Sequence, residues 1–457
     1  MPNNSLFLES PTTKTFKGVS ENINLNNGSR FISFVKNAIK NKQIFIKSAL
    51  KFGTPQYLLD EEALLNQATL FKNAFKKNLK NLDVFYAIKS NDLPFLVNKL
   101  KKIGIHADVS SLFELKLALK LGFNKIIFTA PYKETEAIEL AIKNSDRVVL
   151  NIDQLDELIL IEKIAKKNNT ITPISFRINL NENTNETWTK FGISLPELKK
   201  ITKIIQNNKY LKWVGIHFHS SWNTNPDKYL KAIELVGNFL KSNFTISELS
   251  DLIFLDLGGG FYPEGSGSIE KKLDDKSQKT NYTICVEKIT KIESFSLKIT
   301  QALKKYIFQQ KKLNIWLEPG RFISSQSTTI VLKVISTKNG ALFVDGGINL
   351  IGGANFEFEY FPIINISNPS LEQQKTKIYG PLCDPDDFWG FSYFGKPAKI
   401  GDILIVLHQG AYTFSTAWRW QRPTAAYVSF YKNRLKLVKK TETFDERYAG
   451  CDLISKI

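Results

Sequence analysis

Cysteine and histidine are both scarce in this chain. The three cysteines, Cys285, Cys383 and Cys451, are an odd, scattered set without metal-type spacing, and the four histidines, His106, His217, His219 and His408, form no HxxxH pair. Neither a disulfide framework nor a metal site is expected. Long apolar runs are missing too: no stretch approaches the ~20 uncharged apolar residues that span a bilayer. The N-terminus, MPNNSLFLESPTTKTFKG, lacks the basic-then-apolar order of a secretory signal. The expectation is a globular cytoplasmic protein with no membrane partner. Acidic residues are outnumbered, 44 against 62 Lys and Arg, for a formal charge of +18. The excess is mostly Lys dispersed through segments of helical period such as Leu96–Leu121 and Leu195–Leu211, without the Arg clusters or interleaved aromatics of a nucleic-acid groove. Solvated helix faces account for it better than a nucleic-acid partner does, and the general positive potential favours acidic small substrates.

What is present is material for a large core: 457 residues, 43% of them apolar. From Asn81 to about Glu318, short β-rich runs alternate with longer segments of helical period, as repeated βα units do. There are eight such runs: Leu82–Lys89, Gly104–Val109, Lys125–Ala130, Arg147–Ile152, Ile174–Asn179, Trp213–His219, Leu252–Leu257 and Leu313–Leu317. Their number and spacing match an α/β fold of the (β/α)8 TIM-barrel type, with a doubly wound open sheet as the alternative. Beyond Arg321 the chain becomes strand-like with Gly and Pro punctuation, so a C-terminal β domain is expected over 322–457. The polar first 30 residues read as a loose arm, residues 31–56 as a segment packing on the β domain, and 57–321 as the barrel.

The chemically pointed residues fall at the C-terminal ends of the β runs: Lys89, Asp108, Arg177, His219, Gly258, Gly259, Gly260 and Glu318. That rim is where barrel enzymes carry their sites. Taken alone, a lysine ending a strand is a snorkelling surface residue, and a triple glycine is a turn. Together they say more. A desolvated lysine amine can condense with an aldehyde. The glycines of LDLGGGF let backbone N–H groups approach a phosphate. EPGR (Glu318–Arg321) adds a carboxylate and, three residues later, a fixed cation suited to an anion.

FYAIKSN, ADVSS, KFGI, GIHFH, DLGGGF, EPGR, VDGG, GPLCDPDD and GAYT, in this order, resemble the group III pyridoxal-phosphate (PLP) decarboxylases, the diaminopimelate and ornithine decarboxylase family with an alanine-racemase-like barrel. The resemblance spans about 53–430. It implies PLP as cofactor, with Lys89 as the Schiff-base lysine, Asp108 and Arg177 as a polar pair beside it and Glu114 supporting them. It further implies His219 stacked on the pyridine face, Gly258, Gly259, Gly260, Arg321 and Tyr412 around the phosphate, and Glu318 on the ring nitrogen. A carboxylate at that nitrogen favours decarboxylation, whereas racemases of the fold carry an arginine there. Cys383 and Asp384 belong to a loop that, in the relatives, enters the active site of the other subunit, which implies a homodimer with shared sites.

The chain departs from the family pattern at two places. His219 is followed by Ser220, Ser221 and Trp222 instead of Gly-Ser, leaving Ser221 as the candidate phosphate ligand and Trp222 to reshape the pocket. After VDGG the chain reads INLIGGANFEFEYFPI, with neither the arginine of the diaminopimelate enzymes nor the aspartate of the ornithine enzymes in a clear position. Arg419 and Arg422 of TAWRWQRP are candidates to meet carboxylates on an extended substrate. The favoured substrate is therefore a conjugated diamino acid of the citryl-ornithine type, as in siderophore biosynthesis. The alternatives are meso-diaminopimelate, ornithine or lysine, and, outside enzymes, a regulatory protein of the same fold. Replacing Cys383 with Ala is expected to slow turnover or divert product while PLP stays bound; unchanged rate and product would remove Cys383 from the chemistry.

Overall fold

The computed structural model describes residues 29–180, 190–274, 279–286, 288–352 and 359–452. Most of the expected N-terminal arm, 1–28, and residues 353–358 of the run after VDGG lie outside the described residues.

Eight parallel strands close into a barrel: β1 (Leu82–Ala87), β2 (His106–Val109), β3 (Ile126–Thr129), β4 (Val148–Ile152), β5 (Thr172–Arg177), β6 (Leu211–His217), β7 (Phe254–Asp256) and β8 (Asn314–Leu317). They are hydrogen-bonded in chain order, and β8 closes on β1. These are the eight runs read from the sequence, and closure excludes the open sheet. Helices between them have local signals. Leu112–Leu121 starts at Ser111, whose side chain accepts from the Glu114 N–H, and stops at Gly122 in the left-handed conformation. Leu195–Ile205 opens with a capping box between Ser194 and Glu197.

Strand alternation sorts the side chains. Leu82, Val84 and Tyr86 of β1 join the large core beneath the helices. Phe85 instead packs with Ile127, Val214, Phe254 and Trp316 in a separate cluster that fills the lower barrel. Phe254 and Trp316 stack with ring centroids 3.5 Å apart. Gly215 makes room for them, since a Cβ there would lie 2.1 Å from the Phe254 ring. Further along the same faces the side chains become polar: Asp108, Asn151, Ser175, His217, Asp256 and Glu318 are all buried.

The C-terminal sheet has nine strands in the order Ala341–Val344, Gln373–Tyr379, Phe388–Phe394, Ile363–Asn365, Ile403–Val406, Thr328–Lys338, Gln56–Asp60, Ala426–Tyr431 and Arg434–Lys439. Gln56–Asp60, which straddles the boundary expected between the 31–56 segment and the barrel, is an interior strand of this sheet, antiparallel to Thr328–Lys338 and parallel to Ala426–Tyr431. Helices Ser29–Lys40 and Lys42–Phe52 cover one face, burying Phe31, Val35, Ile44 and Phe45 against Leu58, Val331, Ile405 and Val428. A further three-stranded sheet joins Gly267–Asp274, Lys279–Val286 and Glu359–Tyr360. The sequence reading gave no sign of it, because GSIEKKLD lacks apolar alternation.

Two stability predictions follow from the packing. Gly215→Ala should overpack the lower barrel and cost about 1–3 kcal/mol; an unchanged urea midpoint would contradict the contact. His408 sits edge-on to Phe34, 4.7 Å between centroids, and burial pushes its imidazole down to about 4. Its folded value lies below the ~6.5 of an unfolded chain. The unfolded state therefore binds the extra proton between those values, and stability is lost as pH falls from about 6.5 toward 4, by about 1.4 kcal/mol per pH unit. His408 has φ +63, which Asn tolerates. His408→Asn should flatten this acid-side loss, measured by denaturant titrations across that range; an unaltered slope would refute it.

Candidate active site

The polar upper layer of the barrel opens into a cavity of about 570 Å³. Lys89, Arg177, His219, Gly260, Glu318, Arg321 and Tyr412 line it, together with Phe191, Trp222 and Tyr262. Lys89 follows β1, and its Nζ lies 2.9 Å from Asp108 Oδ2, at the end of β2, and 3.4 Å from Ser110 Oγ. Burial disfavours the ammonium, but Asp108 and Glu318 outweigh it and raise the amine above its ordinary value. Burial and the neighbouring Glu318 push the Asp108 carboxyl up to about 7, against the pull of Lys89. Glu114 supports this pair indirectly: its Oε2 accepts the Ser110 N–H at 2.7 Å.

Arg177, ending β5, is placed differently from the expected pairing with Asp108. Its guanidinium stacks on Phe191 at 4.1 Å and faces Asp153 Oδ1 at 3.6 Å. Glu318 follows β8 and is buried. Its Oε2 lies 3.4 Å from His217 Nε2 and 3.9 Å from His219 Nδ1. Burial opposes the charge, yet His217 and Lys89 hold this carboxyl well below its usual range. Glu318 Oε1 and Asp108 Oδ1 are buried with no hydrogen-bond partner among the described residues.

The glycine run is only partly the expected cradle. The Gly258 N–H already donates to Asp256 Oδ1 at 2.8 Å, and the Gly259 N–H to His219 Nδ1 at 3.1 Å. These glycines also permit close packing: a Cβ at Gly260, φ +88, would lie 2.1 Å from the Ser220 carbonyl. Ser221, on the cavity wall, is 3.2 Å from His219 Nε2. Trp222 stacks on Tyr262 and lines the cavity. The Arg321 guanidinium lies 5.0 Å from the ring centroids of both Tyr262 and Tyr412, and its Nη1 is 2.7 Å from Glu359 Oε2.

Of the predicted residues, Asp108, Gly258 and Gly259 sit behind the cavity lining, and Cys383, Asp384, Arg419 and Arg422 lie away from it. Arg419 is bound to Glu442 at 3.0 Å and donates to the Arg447 carbonyl, and Arg422 is exposed, so neither meets a substrate in this chain's pocket. Cys383 is exposed and Asp384 half-buried, also away from the cavity.

The sequence reading missed His217, Asp256, Asp153, Glu359 and Asp387. His217 and Asp256 were findable, since each stands two residues before a noted position on the same strand face. Asp387 is the anchor of the cysteine loop: its Oδ1 accepts the Ile348 N–H at 2.8 Å and its Oδ2 the Leu382 N–H at 2.6 Å.

An amine at a strand end, an unpartnered buried carboxylate oxygen opposite it and a guanidinium across the cavity suit the aldehyde, ring nitrogen and phosphate of PLP. Comparisons with known proteins agree. A family model described as "Pyridoxal-dependent decarboxylase, pyridoxal binding domain" matches residues 65–325. Diaminopimelate decarboxylase of Aquifex aeolicus is 27% identical over 413 residues, 87% of this chain and 91% of the relative. L-glutamyl-[BtrI acyl-carrier protein] decarboxylase of Niallia circulans is 26% identical, covering 87% of this chain and 93% of that protein. The crystal structure of diaminopimelate decarboxylase from M. jannaschii in co-complex with L-lysine superposes with a TM-score of 0.76 at 27% identity, over 88% of this chain and 93% of that one. With the barrel, the β domain and the cofactor-suited cavity in one chain, the protein belongs to the pyridoxal-dependent decarboxylases and is a PLP-dependent carboxy-lyase acting on an amino acid.

Proposed function

We propose that this enzyme removes the α-carboxylate of a conjugated diamino acid bearing additional carboxylates, of the citryl-ornithine type, and that it works in the cytoplasm as a homodimer with shared sites. The observation that carries the substrate reading is the charge of the cavity. Lys89, Arg177, Lys190 and Arg321 line it against Glu318 as the one lining carboxylate among the described residues. Such a wall favours a polyanion. The Niallia circulans relative, named for an amino acid attached to a carrier protein, supports a conjugated substrate. The diaminopimelate decarboxylases among the relatives favour the second reading, meso-diaminopimelate.

PLP, when bound, supplies an electron sink for the pair left on Cα as CO₂ departs. Lys89 is the residue that would hold it. Because the Lys89 ammonium is stabilised by Asp108, its proton must leave before the amine can attack an aldehyde; Asp108 Oδ2, 2.9 Å away with a carboxyl near 7, is the acceptor. Glu318 is held toward its charged form and presents Oε1 with no hydrogen-bond partner among the described residues, so it would fix a proton on the ring nitrogen. Arg321 and Tyr412, with Ser221 and Gly260 nearby, are the groups for the phosphate. Glu359 would then share the Arg321 guanidinium with that anion; its own burial is offset by the ion pair to Arg321 at 2.7 Å. Phe191, Trp222 and Tyr262 shield the cavity from water. Cys383 and Asp384, too far out to serve this chain's cavity, are poised on an anchored loop for a partner's.

The test is a substrate panel on the purified PLP-loaded enzyme: citryl-ornithine, meso-diaminopimelate, ornithine and lysine, followed by CO₂ release. The conjugate should show the highest kcat/KM, and Lys190→Ala should raise KM for it more than for ornithine. A preference for any free amino acid would overturn the substrate reading.

A further inference from the structure

Two histidines approach Glu318, and their hydrogen bonds assign them different states. His219 Nδ1 accepts the Gly259 N–H at 3.1 Å, so its proton sits on Nε2, facing Ser221 Oγ at 3.2 Å. The nitrogen it turns to Glu318, 3.9 Å from Oε2, therefore carries a lone pair. His217 is the reverse. Its Nδ1 is buried with no hydrogen-bond partner among the described residues, while Nε2 lies 3.4 Å from Glu318 Oε2. An N–H at Nδ1 would be an orphaned donor in a site with zero exposure, which burial penalises. The proton belongs on Nε2, where it makes a long hydrogen bond to the carboxylate.

Around this pair stand Asp256, the β7 partner of His217 in register, Arg177, its β5 partner, and Lys89 across the barrel. Asp256 takes the Gly258 N–H on Oδ1 and leaves Oδ2 without a partner among the described residues. Burial and the adjacent Glu318 raise the Asp256 carboxyl, which favours its protonated form, and burial lowers the His217 imidazole, which favours its neutral form. Glu318 keeps its charge with the Lys89 ammonium as the cation that favours it. His217 engages Oε2, and Oε1 has no hydrogen-bond partner among the described residues.

We infer that His217 is a positioning residue: as a neutral Nε2–H donor it pins Glu318 Oε2 and thereby aims Oε1 at the cofactor ring nitrogen. This rests on the proposed role of Glu318. It gives the first histidine of GIHFH a task distinct from that of His219, the one assigned to the ring face.

The test is ¹⁵N NMR of the protein loaded with ring-¹⁵N PLP, with thermal melting of each variant as a folding control. In the parent protein the ring nitrogen should resonate as a protonated pyridinium. In His217→Phe, which keeps a flat ring and loses the donor, the resonance should move toward the free base. His217→Gln, whose amide can occupy the Nε2 position, should restore it. kcat should fall by about 10- to 100-fold in His217→Phe, as when partners behind a metal ligand are removed, with KM little altered. Should His217→Phe not fold, His217→Asn, whose amide falls short of Glu318, takes its place. A folded, PLP-loaded donor-less variant with the parent resonance overturns the inference, and so does a His217→Gln that behaves like His217→Phe. A free-base signal in the parent protein would instead remove the role given to Glu318, which keeps the two failures apart.

Discussion

Keeping one carboxylate charged inside a closed barrel is the constraint around which this site is built. Glu318, Asp108 and Asp256 are all buried within electrostatic reach of one another, with Lys89 and Arg177 as the nearby cations. Three full negative charges would exceed the two positive ones, and burial makes any imbalance expensive. The resolution is unequal titration. Burial and Glu318 push the Asp256 carboxyl up, toward its protonated form, Asp108 is pushed up to about 7, and Glu318 is held low because His217 and Lys89 favour its charge. Pushing the titration of neighbouring groups apart is what allows one site to hold both a proton donor and a proton acceptor.

Much of this was legible in the sequence, and for a definable reason. Barrel strands are short, apolar and evenly spaced, so β1 to β8 announced themselves, and the rule that chemistry collects at their C-terminal ends selected Lys89, Arg177, His219 and Glu318 for one cavity wall, with Asp108 buried 2.9 Å from Lys89. What escaped depended on long-range pairing. Arg419 and Arg422 follow a recognised motif closely, yet Glu442, on the far side of the last hairpin, holds Arg419 outside the pocket. Glu359 reaches Arg321 across 38 residues, through a strand that pairs with Gly267–Asp274 and has no apolar signature of its own. The partner of Arg177 proved to be Asp153, on a neighbouring strand end, where sequence adjacency gave no preference over Asp108.

His217 is a different kind of omission. The stacking histidine drew attention because a motif names it, while its neighbour two residues earlier has a polar ring in a position with no exposure. Strand alternation puts Gly215, His217 and His219 on one face: the first clears space for Phe254, the second meets Glu318 and the third lines the cavity. Read vertically, a single strand passes from packing, through orientation, to contact. The aromatic floor below and the charged layer above are therefore held in one register by the same backbone.

Gln56–Asp60 also has a bearing on how the chain comes to be made. This strand leaves the ribosome early, but both its partners, Thr328–Lys338 and Ala426–Tyr431, are synthesised after the entire barrel. Until then its two edges carry unsatisfied amides and carbonyls, with Tyr57, Leu58 and Leu59 uncovered, the profile of a segment prone to mispairing between nascent chains. Because both partners of the strand follow the barrel in the chain, the C-terminal sheet closes only after the barrel's whole sequence has been made.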